Sequence, residues 1–318
     1  MMRFNSLLSF LLALVLICGS TAANATNDFI QIQESGWKTQ SSTLVQMSLN
    51  QQPGSETWMA VETRAASEGK AEEVQFRPAT EAEIAQNGQN AYRFILNAEG
   101  GVVFQSNNII SVPGGSGSRF NLGEVNSGPF ASYRLYLWWM INQKHSIRVL
   151  YAPLSVSTSF TPSQDILFDQ VNFLAGRSID AFYKFNSYRV SYIYHFDPVG
   201  KFLFRAGFTA KIRDAGIQIK DPTLSAGTGS TSDIGFVPLL NVGARYLLND
   251  AVYIDFDMDA LAGPVGRAVD ASLRAGYQLT PNWAAEAGYR VVEGGADVAQ
   301  VYNFAWFNYV FVGVSGRY

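Results

Sequence analysis

The sequence predicts an all-β chain: an antiparallel transmembrane β-barrel of about ten strands (roughly eight to twelve), with a short polar N-terminal extension. Three observations predict it. From Tyr92 onward apolar residues recur at every second position, the period of a strand with one apolar face. The connections between these segments alternate long and short. Beyond the N-terminal leader no apolar run approaches the ~20 residues a spanning helix needs, so any span must be built of strands.

Composition narrows the class. Hydrophobic residues make up 47% of the 318 and charged residues only 15%, apolar for a soluble protein yet too interrupted for a bundle of membrane helices. A net charge of −3 gives no basic footprint, so nucleic acid is not an expected partner. The leader itself reads as a secretory signal over residues 1–25. Arg3 supplies the positive end, Leu7 to Ile17 the apolar run, and Ala23-Asn24-Ala25 the small-x-small cleavage site. The one cysteine, Cys18, falls inside it and is preceded by the large Ile17, unlike a lipobox. The mature chain would therefore carry no thiol chemistry.

Residues 26–91 are polar, with acidic residues concentrated from Glu68 to Glu83. Val45, Met47 and Leu49 alternate, Gln51-Gln52-Pro53-Gly54 turns, and Trp58 to Thr63 could run back, so a hairpin followed by a linker is expected of this periplasmic extension. Residues 92–318 form the barrel. Phe94 to Phe104 is its first alternating segment, followed by a Gly/Ser-rich loop from Pro113 to Gly128. Tyr133 to Ile141 and Ile147 to Tyr151 flank a tight turn, after which Pro153 breaks the ladder. Leu154 and Val156 are read as carrying the apolar side in shifted phase, as after a bulge. A long loop, Ser159 to Arg177, leads to Tyr188–Phe196. Asp197-Pro198-Val199-Gly200 then turns into the clearest strand, Phe202 to Ile212. Ile234–Tyr246, Val252–Ala260, Val269–Tyr277 and Trp283–Val291 continue the rule, and a polar loop, Glu293 to Gln300, precedes the closing strand. The tight turns at Asn142, Asp197, Asn249 and Pro281 fall on one side and the longer loops on the other.

The last stretch, NFAWFNYVFVGVSGRY, places Val310, Val312, Val314 and Tyr318 on one parity and ends on an aromatic. It resembles the closing strand of Gram-negative outer-membrane β-barrels, and Gly316 departs from the larger apolar residue usual there. The runs YAPL, YKFNSYR, FTAKIRDA and YRVVEGGADV resemble stretches of uncharacterised members of that class. The resemblance covers roughly Tyr92 to Tyr318. It implies location in the outer membrane, contact with its lipid and lipopolysaccharide, and handling by periplasmic chaperones and the barrel assembly machinery. Val310, Val312, Val314 and Tyr318 would then be the assembly signal. No activity comes with it.

On this phasing the inward positions carry both signs. Arg134, Arg148, Arg189, Arg205, Lys211, Arg213, Arg245, Arg274, Arg290 and Arg317 are basic; Asp255, Asp257, Asp259, Asp270 and Glu286 are acidic. A barrel of about ten strands is narrow, so isolated charges would be costly and paired ones tolerated. The expected outcome is a lumen filled by a salt-bridged network, without metal, cofactor or catalytic residue. Its expected role is structural, interactive, or limited binding or passage of small solutes. The alternative is a barrel enzyme acting on lipid A or surface peptides, a class that resemblance associates with a histidine at the extracellular rim. The two histidines, His145 and His195, are expected at the opposite end. Asp165, Asp169, Asp180, Asp214, Glu293 and Asp297 are candidates for an outer carboxylate pair or calcium site, and read more simply as solvated loop surface.

Overall fold

A computed structural model describes residues 58–60, 76–78, 92–224 and 227–318. Among the described N-terminal residues, Trp58–Ala60 pairs antiparallel with Phe76–Pro78. The acidic stretch read as linker thus contains a short strand, while the expected partner around Val45 to Leu49 lies outside the described residues.

Ten antiparallel strands close into a barrel. They are β1 (Phe94–Ser111), β2 (Phe130–Met140), β3 (His145–Ala152, continuing as Ser155–Phe160), β4 (Ile179–His195) and β5 (Phe202–Lys220). Then come β6 (Thr228–Leu247), β7 (Val252–Gly263), β8 (Gly266–Gln278), β9 (Trp283–Val298) and β10 (Val301–Arg317). Each pairs with its sequence neighbour. The ring closes where β10 runs along β1, from Tyr302 opposite Ser111 to Arg317 opposite Ile95. Tyr318 finishes the seam: its carbonyl accepts from the amides of Arg93 (2.8 Å) and Phe94 (2.9 Å).

Outward residues form an apolar band, with Phe208 67% and Val310 53% exposed. Aromatics border it on both sides. Trp139, Tyr194, Phe202, Tyr246 and Trp283 ring the short-turn end, and Tyr133, Tyr151, Tyr188 and Tyr289 the other, six residues further along a strand such as β4. Six residues at ~3.3 Å each is about 20 Å, close to the height of a lipid-facing band.

The outer loop expected from Glu293 to Gln300 does not exist. Glu293 to Val298 is strand, and β9 turns into β10 through Ala299 and Gln300 alone. The β7–β8 connection is equally short, Pro264 and Val265. Gly294 and Gly295 misled the sequence reading because glycine usually marks a loop. Meanwhile β4, β5 and β6 have 17, 19 and 20 residues, well beyond the ~9–11 a bilayer needs.

The excess length stands beyond the Tyr188 girdle, where the two faces exchange character. Outward positions become polar there, as at Lys184, Asp214 and Gln218, with Lys184 Nζ 2.6 Å from Asp214. Inward positions become apolar: Ile179, Ala181, Tyr183, Ile217, Ile219, Ala305 and Phe307 form a buried core. Leu154 and Val156 belong to this core. They keep the inward parity of Arg148, Leu150 and Ala152, so the expected phase shift at Pro153 is a strand break without one. Beyond Leu135 opposite Tyr151, β2 and β3 have no further registered pairs, and Ser155–Phe160 pairs with β4 only.

The β1–β2 and β3–β4 loops cap this core. A one-turn helix, Leu122–Val125, places Leu122 in the apolar cluster. A β10–β1 register shift at Trp306/Phe307 accompanies the burial of Gln105, whose side chain donates to the carbonyls of Leu122 (3.2 Å) and Asn126. A hairpin, Ile166–Phe168 with Val171–Phe173, fills the second loop, and Phe168 and Phe173 join the core. The loops lock together through Ser118 N to Leu167 O (2.8 Å) and Asp169 N to Val112 O (2.9 Å).

Candidate functional site

The lumen within the lipid-facing band is an ionic layer. Strand alternation makes β7 point Asp255, Asp257 and Asp259 inward in one column. The facing walls answer with arginines, which can fork onto carboxylates. Arg148 Nη1 lies 2.9 and 3.0 Å from the two oxygens of Asp257, and its Nη2 3.4 Å from Asp259. Arg189 bridges Asp259 (2.8 Å) and Asp270 (2.6 Å). Arg205 bridges Asp255 and Asp257, both at 2.7 Å. A Cβ at Gly243 would fall 2.5 Å from the Arg205 guanidinium, which would have to shift from this position across the wall.

Asp270 on β8 is the hub of a second group, accepting from Arg134 (2.7 Å), Arg189 and Arg290 (2.9 Å). Arg290 also reaches Glu99 through both oxygens, and Arg274 joins Glu99 and Glu286, each at 3.1 Å. Glu99 is buried and central, an inward acid beyond those expected from the sequence. It stood on the polar parity of β1; what could not be read was its partner, 191 residues away. Six arginines (Arg134, Arg148, Arg189, Arg205, Arg274, Arg290) thus meet six carboxylates (Glu99, Asp255, Asp257, Asp259, Asp270, Glu286). Asn241 Nδ2 to Asp259 (2.8 Å), Thr209 Oγ1 to Asp259 (2.9 Å) and Tyr253 OH to Glu286 (2.7 Å) supply neutral donors.

Other expected members sit apart from this balanced layer. Arg213 is nearer the loop end, where it pairs with Asp233. Lys211 is buried with its Nζ 4.9 Å from the Phe185 ring centroid, and among the described residues it makes no ion pair. At the short-turn end Arg245 adds itself to Asp255 (2.7 Å), already shared with Arg205. Arg317 lines the cavity at the same end and makes no ion pair among the described residues.

Below the layer the lumen opens at the short-turn end as a vestibule of about 80 Å³. Arg205, Arg245, Arg274, Arg317, His195 and Tyr253 are among its walls. The Tyr253 ring lies over Gly276, where a Cβ would strike it at 2.0 Å. The ring supports Arg245, whose Cζ stands 4.2 Å from its centroid. Both histidines lie at this end: His145 Nδ1 is 2.6 Å from Tyr192 OH and His195 Nε2 is 2.8 Å from Ser146 Oγ.

The acidic residues of the loop end do not converge. Asp165 accepts from Ala175 N (2.8 Å), Asp169 from Ser230 N (3.0 Å) and Asp180 from Ser159 Oγ (2.6 Å). Glu293 meets Arg267 on the outer surface, at 2.8 Å. Among the described residues no three His, Cys, Asp or Glu side chains gather as a metal site would require. Val310, Val312 and Val314 line the outward face of β10 leading to the Tyr318 seam.

No family model and no curated protein matches the chain. Solved structures similar to it are Gram-negative outer-membrane barrels, the class its closing strand resembles. The translocator domain of the autotransporter NalP from Neisseria meningitidis is 11% identical, with 74% of this chain and 93% of that one covered and a TM-score of 0.40. The outer-membrane protease OmpT from Escherichia coli is 12% identical, covering 71% and 96%, with a TM-score of 0.38. Ail of Yersinia pestis, solved with a heparin analogue, is 10% identical, covering 71% and 99%, at 0.33. At these identities and scores the likeness does not reach function.

Proposed function

We propose that this protein is an integral outer-membrane barrel with a sealed lumen, serving a structural or interaction role rather than conducting solutes. The observation that carries the reading is the wall-to-wall ionic layer: Arg148, Arg189 and Arg205 cross from β3, β4 and β5 to the acids of β7 and β8. A solute would have to separate buried ion pairs, and breaking one by removing a partner costs about 3–5 kcal/mol. Beyond that layer it would meet the apolar core under the two locked loops. In this reading the short turns face the periplasm, and the tall β4–β6 wall with the capping loops stands outside among lipopolysaccharide. The seam at Tyr318 with Val310, Val312 and Val314 is what the assembly machinery reads, after chaperones deliver the exported chain.

The enzyme alternative, acting on lipid A or surface peptides from the loop end, finds less support. Both histidines stand at the other end. The discriminating experiment is planar-bilayer recording of the refolded protein. Absent or only brief, small conductance steps are expected; large steady channels would refute the sealed reading.

A further inference from the structure

The vestibule at the short-turn end carries more positive charge than the lumen neutralises. With six arginines already balanced against six carboxylates, Arg245 and Arg317 are surplus at its mouth. Arg245 has only a share of Asp255, and Arg317 no acid among the described residues. Deeper in the same cavity, the donors Arg148 Nε and Arg274 Nε are buried without a hydrogen-bond partner among those residues. Buried donors are normally satisfied, and a cluster left short in a cavity is what a bound group would complete. Arginine forks suit planar or tetrahedral oxyanions, which take two hydrogen bonds from one guanidinium. Ile95, Met140 and Leu203 give the cavity apolar walls beside these donors.

We infer that the vestibule is a binding site for a small oxyanion, a carboxylate or phosphate, with Arg317 and Arg245 as its principal cationic ligands. The anion enters from the short-turn side and stops at the ionic layer, because Arg148, Arg205 and Asp257 form the floor. The site is a dead end, so binding and conduction are separable properties.

The test is calorimetric titration of the full chain, refolded in zwitterionic micelles, with inorganic phosphate, acetate and benzoate. Saturable binding of at least one is expected, weakening as chloride is raised. Arg317→Gln should lower its affinity at least tenfold, while Arg267→Gln, on the outer surface beside Glu293, leaves it unchanged. Tighter benzoate than acetate would assign an apolar body to the ligand, and tighter phosphate would assign a phosphate group. A second readout needs no arginine variant. Trp138, in the cavity wall 5.0 Å from the Arg148 guanidinium, should change its fluorescence on phosphate addition, and Trp138→Phe should abolish that change. No saturable binding, undiminished affinity in folded Arg317→Gln, or a signal persisting in Trp138→Phe would each overturn the site.

Discussion

Glu99 and Arg290 are joined through both carboxylate oxygens, at 2.8 and 3.0 Å, across the closing strand that separates β1 from β9. Arg290 passes over Phe311 of β10 to do so, its Cζ 5.3 Å from the ring centroid. The pair therefore ties the first strand of the barrel to the ninth from inside, behind the hydrogen-bonded seam.

Glu99→Ala should leave Arg290 and Arg274 short of a partner inside a nearly dry lumen. The expected loss of stability is about 3–5 kcal/mol, read as a shift of the urea midpoint in vesicles. Glu293→Ala, whose partner Arg267 is solvent-exposed, should cost about 0–1 kcal/mol. Equal effects would mean the lumen is wetter than its burial indicates.

Phe307→Ala removes a ring that packs 6.0 Å from Tyr183 and 6.1 Å from Phe185 at the centre of the outer core. A cost of about 3–5 kcal/mol is expected. Because the ionic layer remains intact beneath it, bilayer recordings of this variant should still show no steady channel.

Phe208→Arg tests which parity lipid touches. Phe208 lies outward on β5, between Arg205 and Lys211 of the inward parity. Placing arginine there should cost about 2–4 kcal/mol if the site is near the bilayer midplane, measured in the same vesicle titration. A neutral result would contradict the assignment of the apolar band.

Asp221 lies between β5 and β6, outside the lipid-facing band. The Thr223 hydroxyl, its backbone amide and Arg177 (3.1 Å) hold its carboxyl below the usual carboxylate range. A depressed folded value means the tie is fully present above the unfolded carboxylate pKa of about 3.9 and is lost as pH falls through the lower folded value. Pepsin should therefore spare the 161–178 loop at pH about 4.5 and cut it progressively only once pH has fallen below the unfolded carboxylate value of about 3.9. Asp221→Asn should permit cutting at the higher pH.

Removing Tyr318 deletes the carbonyl that accepts from Arg93 and Phe94, whereas Tyr318→Ala keeps it. The truncated chain should show the larger fall in heat-modifiable, membrane-inserted protein. If the aromatic ring alone carries the assembly signal, both variants should fall alike.

Strand parity was legible because it is a local property. Phe202 to Arg213 alternates without interruption, and the structure seats Phe202, Phe204 and Phe208 outward as read. What each parity means at a given height was not local. Ile217 and Ile219 share the parity of Arg205 and Lys211, yet they pack in an apolar core that is built by loops distant in sequence. The same cause misled the reading at Leu154 and Val156, where inward residues turn apolar and mimic a phase shift. Which carboxylate each arginine meets could not be read from parity, and the partner of Glu99 lies 191 residues away.

The exchange of faces at Tyr188 sets two rules of substitution for one strand. A scan of β5 with aspartate should be tolerated best at Gln218 and Lys220 toward the rim and worst at Phe204 and Phe208 lower down, although all four share a parity. Ile217 and Ile219, on the other parity, should reject it as the interior of a water-soluble protein does. A tolerance map of this wall would therefore invert part-way up each long strand, and with the loop end outward, as proposed above, an antibody or phage would find its footing only beyond that line.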